Sequence, residues 1–384
     1  MKYAIIHGHP IHYKHLLFRE LRMGGLDFEV IFGAAQSMVR HEPIRLSSDL
    51  YPYRIIYEGQ YEAAPRATRA LGTWCAISEL NPDVVIISGY HSAEGWAAWL
   101  WALLHKRKIV MWYESNEFDY PNRPWYKETV KRVFLRGVDQ AHVYGTSNKA
   151  YLEKLGLAGD RIAIKGAVVN VEAFSTPDDL KTWSGPGVKR LLYIGRLAVE
   201  KNVALLLRAL ASAIKLAGAP LWTLTIVGTG PLEQQLRQLC SSLAIERFVD
   251  FVGYCPQSEL PQLCRQTDVF ILPSTREQWG NVVLEAMLCR LPIAVSTQCG
   301  CALDLAKPDT GWVFPPWTDE PLTDILLKLP DLGRTELARM GSECHKLASG
   351  YSAASCAERI ISSLKQLTPQ VERRQSEANA ELAL

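Results

Sequence analysis

The chain carries no bulk charge of either sign: 42 Lys and Arg face 40 Asp and Glu in 384 residues. That balance excludes a global field recruiting nucleic acid or an acidic polymer and makes any basic site a local one. Long hydrophobic runs are also missing. The longest, GWAAWLWALL at 95–104, is about half of what spans a bilayer, and the opening MKYAIIHGHPIHY breaks its apolar stretch at His7, too early for an export signal. The nine cysteines are odd in number and scattered, without C-x-x-C spacing. They read as reduced thiols of a cytosolic protein, neither a zinc site nor a disulfide framework. No repeat of solenoid period occurs. What remains is a chain with 48% hydrophobic and 21% charged residues, a globular mixture too long for one ordinary core, so two domains are expected.

Short β-branched or aromatic runs alternate with helix-period stretches. In the first half these are YAII at 3–6, FEVIF at 28–32, DVVIIS at 83–88, IVMWY at 109–113 and AHVYG at 141–145. In the second they are RLLYIG at 190–195, WTLTIV at 222–227, DVFIL at 268–272 and PIAV at 292–295. Such alternation means crossover connections and parallel sheets covered on both faces. The expected fold is α/β, with two doubly wound, Rossmann-like domains whose strand-end loops face each other across a ligand cleft. The first domain is expected at 1–175, a linker rich in Pro, Gly, Ser and Asp at 176–187 and the second domain at 188–350. A C-terminal helix at 351–367 is expected to pack back toward the first domain, followed by a mobile tail at 368–384.

Three loops of the second domain carry residues suited to an anionic or polyhydroxyl ligand. RLLYIGRLAVEKN delivers Arg196 and Lys201 from a strand end to a helix start, where two cations add to the partial positive charge of unpaired helix amides. The alternative is a pair of solvated surface cations. VGTGP places Gly228 and Gly230 in a tight strand-to-helix turn, a weak signal alone. PSTREQWGNVVLEAM, at 273–287, sets Glu277 on a turn and Glu285 in a helix that begins near Gly280. Asn281 and Glu285 share one helix face, and Glu285 is placed to accept bonds from a diol. Dipole complementation for Glu285 and a solvated loop carboxylate for Glu277 are the plainer readings.

The E-x7-E pair in REQWGNVVLEAMLCRLPIAVS, with YIGRLAVEKN, VGTGP and FVGYCPQSELPQL in that order, resembles the second domain of family 4 retaining glycosyltransferases of the GT-B fold. The likeness covers roughly 188–320. IVMWYESNEFDY, YGTSNKAYLEKLGL and VVNVEAF resemble, more loosely, the first domain of bacterial polysaccharide-type members. The resemblance implies that Arg196 and Lys201 hold the diphosphate of a nucleotide-sugar donor and that Glu285 binds its ribose. Glu277 would contact the donor sugar, and the amides around Trp279, Gly280 and Asn281 would support sugar and phosphate. Gly195, Gly228 and Gly230 would shape the nucleotide pocket.

This sequence departs from the family pattern in the first domain. HGHPIHYKHLL stands where many relatives have a Gly-Gly turn, so His12 and Tyr13 become the expected acceptor contacts. Glu114, in WYESNEF, stands at the position of a family histidine and is expected to act in catalysis with Glu277, Arg196 and Lys201. Thr229 replaces a common acidic residue.

The resemblance implies transfer with retention to a hydroxyl of a glycan or lipid-linked acceptor, in polysaccharide or lipopolysaccharide assembly. No Asp-x-Asp pair occurs, so neither a metal nor another cofactor is expected beyond the nucleotide-sugar co-substrate. An epimerase of nucleotide sugars and a non-catalytic sugar-nucleotide-binding regulatory subunit are the alternatives. The helix at 124–136 sets Val130, Val133 and Phe134 on one arc and Lys127, Lys131, Arg132 and Arg136 on the other, with Trp125 and Tyr126 at its start. It reads either as an ordinary surface helix or as a peripheral contact with the anionic inner face of the cell membrane. Trp96, Trp99 and Trp101 are assigned to the core.

Overall fold

The computed structural model describes residues 1–38, 46–119 and 125–367, and the tail at 368–384 lies outside them. The chain divides into two compact units, one of Met1–Glu114, Asn122–Val168 and Ala353–Leu384, the other of Ser115–Pro121 and Val169–Ser352.

In the first unit the elements run β1 (Tyr3–His7), α1 (His12–Met23), β2 (Phe28–Phe32), β3 (Tyr53–Ile55), α2 (Arg66–Leu80), β4 (Val84–Ile87), α3 (Ala93–Leu104), β5 (Lys108–Tyr113), α4 (Trp125–Arg136), β6 (Gln140–Val143), α5 (Thr146–Lys154) and β7 (Ile162–Ile164). The strands form a parallel sheet in the order β3-β2-β1-β4-β5-β6-β7. The chain winds outward from β1 to one edge and then from β4 to the other, so the switch point lies between β1 and β4.

The second unit holds α6 (Val171–Phe174), β8 (Lys189–Ile194), α7 (Val203–Ala217), β9 (Trp222–Val227), α8 (Glu233–Ser242), β10 (Val249–Gly253), α9 (Leu260–Arg265), β11 (Val269–Leu272), α10 (Asn281–Leu288), β12 (Ile293–Ser296), α11 (Ala302–Leu305), β13 (Gly311–Phe314), α12 (Glu320–Lys328) and α13 (Arg334–Ser349). Its parallel sheet runs β10-β9-β8-β11-β12-β13, with the switch point between β8 and β11.

The central strands are continuous apolar runs because both faces are covered: β4, β5, β11 and β12 are buried along their whole length. The last helix, α14 (Ala353–Lys365), returns to the first unit. Its Cys356, Ala357, Ile360 and Leu364 share a core with Leu17, Phe18 and Leu21 of α1. Each large aliphatic side chain buried there contributes about 1.5–3 kcal/mol.

The division between units falls at Val168, ahead of the 176–187 stretch. Those residues are tied into the second unit by polar bonds: Lys181 Nζ donates to the Cys264 carbonyl at 2.6 Å and to that of Thr267, and Ser184 Oγ donates to Asp268 at 2.7 Å. Within α4 the buried side is Lys131, Phe134 and Leu135, while Val130 and Val133 are exposed. This corrects the expected arcs. Lys131 turns inward because Glu128 at 2.7 Å and Tyr151 Oη at 2.6 Å satisfy its ammonium. Trp101 is fully buried, and Trp96 and Trp99 are partly buried against the same core.

Candidate active site

In the second unit, the loops that leave β8 and β11 meet at the switch point, where the Thr275 amide donates to the Glu200 carbonyl at 2.8 Å. This contact brings Lys201 to Glu277. The ammonium bonds Glu277 Oε2 and both side chains are mostly shielded from water, so Glu277 is an ion-pair partner rather than a solvated carboxylate. Arg196 stands apart from that pair: its side chain is 68% exposed and its guanidinium bonds Glu200 Oε1 at 2.5 Å. Burial raises the Glu200 carboxyl, and the Arg196 bond and nearby amides outweigh it, leaving the group below its ordinary value.

The backbone of Glu277 is held from two sides. Gly300 N donates to its carbonyl at 3.0 Å, and so does Asn116 Nδ2 at 3.0 Å, which also reaches the Gln278 carbonyl at 2.9 Å. Asn116 is almost completely buried. Nothing in the spacing of its block, ESNEF, marks this role; a buried amide bonded to two successive carbonyls rigidifies the loop.

The Trp279 ring is buried, and the Trp279 carbonyl accepts from Cys301 N at 3.1 Å. Gly280 takes φ 100°, a left-handed conformation that glycine adopts without strain, and opens α10 with no side-chain cap on the helix start. Asn281 is the first residue of α10 and Glu285 lies one turn further in. Burial pushes the Glu285 carboxyl up to about 7, against a hydrogen bond from Gln257 at 3.1 Å that favours the charged form.

The glycine turn after β9 packs directly on the loop after β8. A Cβ on Gly228 would sit 2.1 Å from the Gly195 carbonyl oxygen and one on Gly230 would sit 2.4 Å from that of Leu197. The loops are stitched by Gly195 N to the Val227 carbonyl and Leu197 N to the Thr229 carbonyl, both at 2.9 Å. Thr229 therefore serves this turn through its backbone. Among the described residues no group of three or more His, Cys, Asp and Glu side chains is arranged to hold a metal.

In the first unit, the strand ends gather a second set of polar groups. Glu114, Tyr144 and Lys165 each follow a strand directly, β5, β6 and β7, and Lys14 lies in the first turn of α1. Lys14 Nζ stands 2.8 Å from Glu114 Oε1, and Tyr144 Oη donates to the same oxygen at 2.5 Å. Burial alone would raise the Glu114 carboxyl; Lys14 and Lys165 outweigh it and hold the group down at about 2. Burial, with Lys14 beside it, pulls Lys165 down to about 7. Of the expected acceptor contacts, His12 is exposed at the start of α1 and Tyr13 is half-buried, hydrogen-bonded to Tyr144. Lys14 carried a readable signal: with Leu17, Phe18 and Leu21 it completes the buried face of α1, and a lysine there must find a partner inside.

Residues 182–343 match the family described as glycosyl transferases group 1, and residues 11–166 match the glycosyl transferase 4-like domain. An uncharacterized glycosyltransferase of Methanocaldococcus jannaschii is 33% identical over 129 residues, which is 33% of this chain and 32% of that protein. The amylovoran biosynthesis glycosyltransferase AmsK of Erwinia amylovora is 30% identical over 146 residues, 36% of this chain and 35% of that protein. These alignments thus span about a third of each relative. Anabaena Alr3699/HepE, solved in complex with UDP, superposes with a TM-score of 0.74 at 18% identity, covering 96% of this chain and all of that one.

Proposed function

Because the chain belongs to the family 4 glycosyltransferases of the GT-B fold, we propose that it moves a sugar from a nucleotide-diphosphate sugar to a hydroxyl of a glycan or lipid-linked glycan, with retention of anomeric configuration. The observation that carries this reading is the Lys201–Glu277 pair at the uncapped start of α10, with Glu285 one turn further along the same helix. Lys201 and the first amides of α10 neutralise the leaving diphosphate, Glu285 accepts from the ribose hydroxyls, and Glu277 orients the transferred sugar while holding Lys201 in place. Arg196 swings from Glu200 to the diphosphate when the donor arrives. Charge neutralisation by these groups needs no metal, so turnover is expected to be unchanged by a chelator, and its loss on chelation would contradict this. The polysaccharide setting is drawn from AmsK, which acts in amylovoran biosynthesis. A cytosolic setting is part of this reading, supported by nine cysteines that are all free and would stay reduced there.

Proton NMR of the product from an α-linked donor tests the chemistry. An α-linked product is expected. A β-linked product contradicts retention, conversion of the free donor points to an epimerase, and donor binding without any turnover points to a regulatory subunit.

The acceptor side works against a lipid surface. No described helix is long and apolar enough to cross a membrane, but Trp125 is 79% and Tyr126 53% exposed at the start of α4, beside exposed Lys127, Val130, Arg132, Val133 and Arg136. Interfacial aromatics flanked by cations suit an anionic bilayer surface. Vesicles containing phosphatidylglycerol are expected to sediment the protein at low salt, and Trp125→Ser with Arg132→Ser to abolish this. Equal sedimentation by neutral phosphatidylcholine vesicles, or none by either, contradicts it.

A further inference from the structure

The ionic cluster of the first unit has an asymmetry that assigns Glu114 a task. Both short bonds to its carboxylate, from Lys14 and Tyr144, end on Oε1. Oε2 takes no hydrogen bond from the described residues, and the side chain is 32% exposed. One oxygen is thus anchored in the interior and the other is left as an acceptor at the strand ends, where doubly wound sheets bind their ligands. The anchor is itself rigid. Lys14 is buried with its ammonium 4.9 Å from the centre of the Trp112 ring, Lys165 is buried 4.1 Å from that of Tyr144, and Asn148 Nδ2 fixes the Glu114 carbonyl at 2.8 Å.

We propose that Glu114 is a substrate-contacting residue that offers its free carboxylate oxygen to a hydroxyl of the acceptor, with Lys14 and Tyr144 as the positioning residues that hold it. The proposal rests on the transferase reading. A carboxylate held down at about 2 stays ionised throughout the working range, so Glu114 receives a hydrogen bond and does not donate a proton. Glu114 thus supplies a fixed negative charge that selects a polyhydroxyl acceptor and orients the attacking oxygen. The other titratable groups facing the cluster leave that charge in place. His7 of β1 is kept neutral, lowered to about 3 by burial and Lys14, and Cys356 and Arg359 of α14 act on Lys165.

The test is nucleoside diphosphate release from the nucleotide sugar that wild type turns over fastest, followed from pH 5 to 9 with water alone and with methyl hexosides as acceptors, alongside calorimetric donor affinity. Glu114→Gln should lower kcat about 10- to 100-fold at every pH with donor affinity unchanged within about twofold. Lys14→Met removes the largest influence opposing burial, so its kcat profile, taken at saturating donor at each pH so that protonation of Glu285 does not enter, should gain an acid limb above pH 5 that wild type lacks. Lys14→Arg should restore the flat profile, and Tyr144→Phe should give a smaller loss of the same kind. A structural defect would scale every rate without creating a limb, and thermal melts identify variants that do not fold. Wild-type turnover that Glu114→Gln leaves untouched, or a Glu114→Gln variant that loses donor affinity, overturns the proposal alone. Absence of turnover in wild type overturns the transferase reading on which it stands.

Discussion

Lys201→Met is expected to lower kcat by about 100- to 1,000-fold, the loss seen when one preorganised donor to a developing negative charge is removed. Lys201 is the shielded cation at the β8/β11 switch point, and its partner in the ligand-free protein is Glu277. In the proposed reaction a diphosphate arriving there would take over part of that ammonium, so the pair would supply an oriented charge at little reorganisation cost. Arg196, mostly exposed and tied to a residue four further along, begins in water, and Arg196→Ala is expected to cost about tenfold, mainly in KM. Because Lys201 and Glu277 touch, Lys201→Met with Glu277→Gln should be far less damaging than the product of the single effects. Steady-state kinetics of the four proteins check this. A Lys201→Met variant within about threefold of wild type would remove Lys201 from the site.

The second large effect is a pH dependence of donor affinity that belongs to Glu285. Burial holds this carboxyl at about 7 in the free protein, whereas the role proposed for it, accepting from both hydroxyls of a ribose, would require the ionised form. Below pH 7 each binding event must therefore release a proton, and affinity should fall about tenfold per pH unit as pH drops from 7 to 5 and level off above 8. Nucleotide sugars are the right ligands, since their diphosphate is esterified at both ends and does not titrate in this window. Glu285→Gln should bind more weakly at pH 8 and lose the slope. The same shift has a stability consequence of definite sign. A carboxyl raised from 4.5 to about 7 on folding contributes stability that is fully present below 4.5 and lost as pH rises through 7. Glu285→Gln should accordingly melt higher than wild type at pH 8 and alongside it at pH 4.

How much of this was readable from the residues follows from burial. The strands that the apolar runs revealed lie mainly in the interiors of the two sheets. Those not foreseen, β3, β7, β10 and β13, are the four sheet edges. Edge strands are short or half-solvated, and β10 alternates half-buried with exposed residues, so its sequence, VDFVG, carries no continuous apolar signal. The helix faces were legible except where a lysine occupies a core position. Lys14 and Lys131 both sit where periodicity calls for an apolar residue, and only the fold shows the carboxylate and tyrosine hydroxyl that accept them. The site residues after β8 and β11 were legible as separate blocks. That Lys201 and Glu277, 76 residues apart in sequence, form one pair, with Asn116 holding the loop of Glu277, depends on strand order. Spacing alone does not supply strand order.

The proposed donor site, built from the loops after β8 and β11 with α10, is expected to hold a nucleoside diphosphate. Calorimetric titration of the protein with UDP, GDP, ADP, TDP and CDP, repeated on Glu285→Ala and Lys201→Met, tests it most directly. Binding of one base in clear preference is expected, weakened by both substitutions in proteins that remain folded. If folded wild-type protein binds none of the five, or if both variants bind as tightly as wild type, these loops are not a nucleoside diphosphate site.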